Sequence, residues 1–313
     1  MFTLQPPRVR DTEVFTRLPD RFRHAAVTDW SRANRAGAAI DSFLEAPAFD
    51  SEGNLFVADI PFGRIFRIDP AGEWTLVVQY DGEPNGMKFV SDSEAVIADY
   101  RNGLMLLDLT RGTVRELLGR RNGERFKGLN DLVFDSRGAL YFTDQGQTGL
   151  HDPTGRVYRL HPDGRLDRLL ANVPSPNGVA LSPDEKVLFV AATRSNSVWR
   201  VPLMADGGVA KVGQFFTSHG PSGPDGLAVD EAGKLVVANP GLGVAWVLDA
   251  MAQPVEVLRS VAGTSLTNLA FGGPDRRTAY FTESVSGSIL RAKLDTPGLP
   301  LARPRAPLAS APA

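Results

Sequence analysis

Six short stretches of the chain repeat one pattern of small, polar and apolar residues: LEAPAFD, EPNGMKF, GLNDLVF, SPNGVAL, GPDGLAV and LTNLAF. Aligned on the large apolar residues Phe49, Phe89, Phe134, Leu181, Val229 and Phe271, they recur at intervals of 40, 45, 47, 48 and 42 residues. A repeat of that length marks stacked or radially arranged supersecondary units. After each anchor comes a turn rich in Gly, Pro, Asp and Ser (DSEGN, SDSE, DSRGA, SPDEK, DEAGK, GGPDRRT), the composition that closes hairpins. A β-branched and aromatic run follows: LFVAD, AVIAD, LYFTD, LFVAA, LVVAN or AYFTE. A third strand (RIFRID, GLMLLD, RVYRLH, SVWRVP, VAWVLD, SILRAK) is present in every unit, and a fourth in five of them. The sixth unit has no fourth strand after Asp295, and EVFTRLP near the N-terminus is placed to supply it. No long period-3.6 pattern occurs. The pattern predicts an all-β, six-bladed β-propeller of four-stranded antiparallel blades, closed by an N-terminal strand so that no sheet edge is left open. The propeller domain is expected over residues 1–295, with a Pro/Ala-rich tail, 296–313, that frays.

The same alignment sorts the polar residues. Four positions before each anchor stand Glu45, Asn85, Asn130, Asn177, Asp225 and Thr267, all bearing a side-chain oxygen. Equivalent positions at the start of innermost strands form a ring around a propeller axis. A second set, Asp59, Asp99, Asp144, Thr193, Asn239 and Glu283, ends the next strand. In an antiparallel hairpin the start of one strand lies beside the end of the next, so both rings are expected on one face. Asn85 and Thr267 are read as local turn residues. Glu45 is a poor turn residue and shares the axis with Asp225. Two carboxylates in a partly dry funnel repel unless one is protonated or a cation lies between them, and a divalent metal is the economical answer. Carboxylate and amide oxygens without sulfur suit hard cations. Ca²⁺ is the expected ion, held by Glu45, Asn177 and Asp225 with waters; Mn²⁺, Mg²⁺ and Zn²⁺ are the alternatives.

Composition changes this picture little. The chain of 313 residues has a net charge of -2 and no cysteine. That leaves no electrostatic case for nucleic acid or a membrane surface, and excludes disulfides and thiolate chemistry. The N-terminus lacks the apolar run of a secretory signal, so a cytoplasmic location is expected; the oligomeric state is left open. No Gly-x-Ser-x-Gly elbow, phosphate loop or dinucleotide fingerprint stands in a suitable context.

The Glu of LEAPAFD together with GLNDLVFDSRGALYFTD, SPNGVALSPDEKVLFVA and GPDGLAVDEAGKLVVAN resembles the senescence marker protein / gluconolactonase / luciferin-regenerating enzyme family, in register from about residue 40 to 295. The resemblance implies a metal-dependent lactonase, a hydrolase of carboxylic esters acting on a small-molecule lactone. It implies Glu45, Asn177 and Asp225 as metal ligands, Asp225 also as general base, and Asn130 as a substrate contact. Two departures are Gly128-Leu129 before Asn130 and Ala46-Pro47 after Glu45. Substrate contacts are further expected from the mouth loops: Tyr100, Arg101, Asp144, Gln145, Gln147, His151 and Arg194, with DQGQTGLHDPTG as a lid. Competing readings are an aryl or other ester hydrolase of paraoxonase type, a non-hydrolytic strictosidine-synthase-like propeller, and a binding propeller without chemistry.

Overall fold

A computed structural model describes residues 5–304. Each repeat unit forms one four-stranded antiparallel sheet, and the six sheets stand around a central axis as a six-bladed β-propeller. Their innermost strands are Leu44–Phe49, Pro84–Phe89, Leu129–Phe134, Pro176–Leu181, Leu227–Val229 and Leu266–Gly272. Each of these packs on the next, and the sixth returns to the first. Among the described residues the only α-helix is the six-residue Asp29–Asn34, and no helix is long and apolar enough to cross a membrane.

The apolar runs follow from how blades stack. Each sheet is covered on both faces by its neighbours, so its inner strands are apolar throughout rather than alternating. The second strands LFVAD, LYFTD, VLFVAA and LVVAN are buried along their whole length. Six clusters of buried side chains result, one per blade interface. Val96, Leu117, Phe134 and Tyr158 join blades 2 and 3, for example, and Leu44, Phe66, Trp74 and Ile289 join blades 1 and 6.

The ring closes as expected. Glu13–Arg17 pairs antiparallel with Ser288–Lys293 and becomes the fourth strand of blade 6. A strand not foreseen, Arg8–Asp11, adds parallel to the outer strand of blade 5, where Arg8 and Arg10 both bind Glu256. The tail differs from expectation in its first part. Pro297, Gly298 and Leu299 bond to Glu231, Arg276 and Val229, and Arg303 pairs with Asp92, so this stretch is fastened across the blade ends. Residues 305–313 of the tail lie outside the described residues.

The second ring has a structural task. In four blades the acid that ends the second strand is buried and accepts the backbone N–H two residues before the first-ring position. Asp59 accepts from Phe43 at 2.8 Å, Asp99 from Glu83 at 3.0 Å, Asp144 from Gly128 at 2.9 Å and Glu283 from Ser265 at 2.7 Å. Each clip fixes the entry of the chain into an inner strand, and with it the first-ring side chain. Asp99 also accepts from the Tyr80 hydroxyl and the N–H groups of Arg101 and Asn102. Removing such an acceptor strands buried donors. Asp99→Ala is therefore expected to lower stability by about 3 kcal/mol or more, read by denaturant unfolding. A loss below about 1 kcal/mol would show that the clip is dispensable.

Candidate functional site

The mouth of the axis is built from the starts of the inner strands. Neighbouring inner strands approach closely there because the residue after the ring position is glycine in three blades. A Cβ on Gly178 would stand 2.2 Å from the Asp225 carbonyl oxygen, and one on Gly226 would stand 2.2 Å from Asn268 Oδ1. In blade 1 that position is Ala46, held at φ 54°, a left-handed conformation that costs an alanine more than a glycine. Its N–H turns back to Glu45 Oε2 at 3.3 Å.

Glu45 is 4% exposed. Its Oε2 accepts from Asn268 Nδ2 at 3.0 Å, and Thr267 also bonds the carboxylate. Burial pushes the Glu45 carboxyl up to about 7; the bonds from Thr267, Asn268 and Ala46 oppose the rise, and the charge of Asp131 adds to it. Asp225 precedes its strand, tied by its N–H to Ala238 O at 2.9 Å. Burial raises its carboxyl well above the usual range, and the charges of Glu45 and Asp131 raise it further. Arg194 and a hydrogen bond from Asn177 act against that rise. Asp225 keeps some solvent contact, so it is the member of the pair that water or a ligand reaches. The structure thus brings Glu45, Asn177, Asp225 and Arg194 to one place.

Other expected residues are placed differently. Asn130 is buried and donates through Nδ2 to Gln145 Oε1 at 2.9 Å, while Gln145 Nε2 donates to Ser175 Oγ at 2.9 Å. Gln145 therefore orients Asn130, and both the oxygen and the nitrogen of its amide are engaged within the protein. Asp144, expected as a substrate contact, is fully buried and bound to Gly128; its clip role removes it from the mouth surface. Arg101 is committed to Asp81 at 2.6 Å on the exterior. His151 is exposed beside Gly149, with its Nδ1 3.2 Å from the Cβ position there and Arg194 Cβ 3.7 Å from the same point. The loop that carries it is anchored by Gln147, which donates to the Tyr100 hydroxyl at 2.9 Å and to Asn34 Oδ1 at 3.3 Å. Thr267 is no mere turn residue, since it bonds Glu45, Thr282 and Ser284. Asn85, also read as a turn residue, has no hydrogen-bond partner for its side chain among the described residues.

Two residues escaped the register argument. Asp131 and Asn268 each follow a ring residue, in blades 3 and 6, where the other blades have Gly or Ala. Their N–H groups bind Thr143 Oγ1 at 3.0 Å and Thr282 Oγ1 at 3.1 Å. That pair of polar exceptions at a Gly/Ala position was the available signal. Among the described residues no group of three or more His, Asp or Glu side chains has the arrangement of a metal site, so any hard cation here would need the amide oxygen of Asn177 beside the two carboxylates. A cavity of about 470 Å³ on the outer edge of blade 3 is lined by Arg121, Arg159, Arg165 and Arg168. Arg159 and Arg165 are paired with Asp167 at 2.6 and 2.9 Å, and the cavity is remote from the mouth.

A model of the SMP-30/Gluconolactonase/LRE-like region matches residues 43–285. Lactonase drp35 of Staphylococcus epidermidis is 32% identical over 226 residues, 68% of this chain and 68% of its own. Its counterpart in Staphylococcus aureus (strain MRSA252) is 31% identical with the same shares. Regucalcin, a calcium-binding protein from Agrobacterium tumefaciens, superposes with a TM-score of 0.78 at 22% identity, over 97% of this chain and 100% of its own. A gluconolactonase from Xanthomonas campestris gives a TM-score of 0.71 at 22% identity, over 95% and 99%. At those identities the two structures speak to the fold.

The raised carboxyls give the cation-free protein a pH signature. A folded-state pKa above the ordinary value means that folding favours the protonated form. The contribution is complete below the ordinary 4.5 of Glu45 and is lost as pH rises through about 7. For Glu45 the difference amounts to about 3 kcal/mol. With chelator present, melting temperature should therefore fall by roughly 5 °C or more between pH 5 and pH 8, and the Glu45→Gln/Asp225→Asn protein should lack this fall. A flat profile in the chelated wild type would remove the coupled pair from the account.

Proposed function

The chain belongs to the SMP-30/gluconolactonase/LRE-like family, and from that membership we propose that it is a divalent-cation-dependent carboxylic ester hydrolase that opens a lactone at the axial mouth. The observation that carries the reading is the pair Glu45 and Asp225, enclosed together beside Asn177 with both carboxyls held above their usual range. Lactonase is the name of its relatives at about one-third identity, and a calcium-binding protein shares its fold.

The donor set fits a hard cation: two carboxylates and one amide oxygen, no sulfur and no imidazole. Glu45, Asn177 and Asp225 would hold it, with Ca²⁺ the preferred ion. When bound, it would polarise the lactone carbonyl and make a water molecule more acidic. The residues supply the rest. Glu45 is locked by Asn268 and Thr267 and cannot swing out to solvent. Asp225 keeps contact with solvent, so besides helping to hold the cation its carboxylate would take the proton of the attacking water as general base. Asn130 commits one Nδ2 hydrogen to Gln145, and its second is free to donate to the oxygen on which charge develops. Arg194, which acts on Asp225, gives the rim positive character on the blade 4 side, and His151 lies beside it; both would meet the ring substituents of the lactone. With Asp144, Gln145 and Arg101 engaged elsewhere, Asn130, Arg194 and His151 are the expected substrate contacts that stay available.

Asp225→Ala and Glu45→Gln should each lower lactone hydrolysis at least about 100-fold while the fold persists by circular dichroism. Excess chelator should abolish turnover, and Ca²⁺ or Mn²⁺ should restore it. Turnover that survives proven removal of bound metal, or that Asp225→Ala leaves intact, would sink this reading.

A further inference from the structure

The repeat contains a second irregularity, one layer below the mouth. Three residues after the ring position the six blades carry Ala48, Lys88, Val133, Ala180, Ala228 and Ala270. Five are small and apolar, as packing between blades requires. The sixth is a lysine whose side chain is only 18% exposed. It lies on the inner strand of blade 2, and its Nζ is 3.8 Å from Asp131 Oδ1, on a carboxylate that is itself 4% exposed. Asp131 is otherwise held by N–H groups, Leu132 to Oδ1 at 2.8 Å and Val179 to Oδ2 at 3.3 Å. Gly86 makes room for it, since a Cβ there would come within 2.9 Å of Oδ1. A lysine in a packed interface is unfavourable unless its charge is matched, and Asp131 is the match.

The pair bears on the site because Asp131 adds its charge to both Glu45 and Asp225. Three carboxylates therefore surround the upper axis. Two cationic side chains answer them: Arg194 acts on Asp225, and Lys88 on Asp131. We infer that Lys88 is a positioning residue that serves as a built-in counter-cation, neutralising Asp131 so that its charge does not add to the field of Glu45 and Asp225, and so tuning how tightly a divalent cation is held there. The inference rests on the cation reading of that site. At 3.8 Å the ammonium acts through its charge rather than through a fixed hydrogen bond, so the charge matters and the shape of the donor does not.

Lys88→Met keeps the length and apolar stem but removes the charge, and Lys88→Arg keeps the charge. Calcium titration by calorimetry, with metal content by mass spectrometry, should give Lys88→Met an affinity about tenfold tighter than wild type at low ionic strength. Lys88→Arg should match wild type. In parallel, Lys88→Met should melt lower than wild type in chelator, and calcium should raise its melting temperature by a larger increment. A purely structural lysine would lower stability without changing that increment. Should Lys88→Met not fold, Lys88→Gln serves for the same titration. Saturable binding to wild type with affinity and increment unchanged in the neutral variant would overturn the role of Lys88 alone. A wild type that binds no divalent cation would overturn the cation reading together with it.

Discussion

Closure of the ring is the constraint on which this structure depends. A blade has two apolar faces and no core of its own, so each must be covered by a neighbour, and the last can be covered only by returning to the first. The N-terminal strand Glu13–Arg17 completes blade 6, and the cluster around Leu44, Phe66 and Ile289 then joins blades 6 and 1 like any other interface. Six equivalent interfaces fix the spacing of six inner strands. Side chains at one end of those strands have nowhere to go but the axis.

That geometry concentrates charge. Glu45, Asp131 and Asp225 come from blades 1, 3 and 5, far apart in sequence, and the ring forces them to share one partly dry space. Burial raises Glu45 and Asp225, and their proximity raises Asp225 further. The acids ending the second strands sit equally deep, yet they face backbone N–H groups and an arginine or hydroxyl instead of one another. Identical residue types thus divide into clips that hold the scaffold and a pair left under electrostatic load. That load is the physical basis of the proposed cation site at the mouth.

Much of this was legible in the chain. Strands buried on both faces leave unbroken apolar runs, and the turns between them leave Asp, Gly and Pro, so the repeat and its number could be read without coordinates. The first ring followed from register alone, and Glu45, Asn177 and Asp225 do converge. The strand-end acids were harder. Whether Asp144 meets a substrate or the Gly128 N–H depends on a partner across the hairpin, and residue type is the same in either case. Gln145 was placed at the mouth by position, but its amide oxygen and nitrogen bridge Asn130 and Ser175.

Asp131 and Asn268 mark the boundary most clearly. Simple alternation puts them on the opposite side of the strand from Asn130 and Thr267, away from the axis. The ladders, however, are irregular at that point, with bulges between Leu129 and Leu132 and between Leu266 and Asn268. A bulge lets two successive residues face the same way, and so Asp131 joins the charged group and Asn268 reaches Glu45. The sequence by itself determined the number of blades, the strand that closes them and the ring of oxygens, because those depend on periodic burial. Only the tertiary structure decided which acids are clipped to the backbone and which confront each other, because that depends on local bulges and on partners brought together by closure.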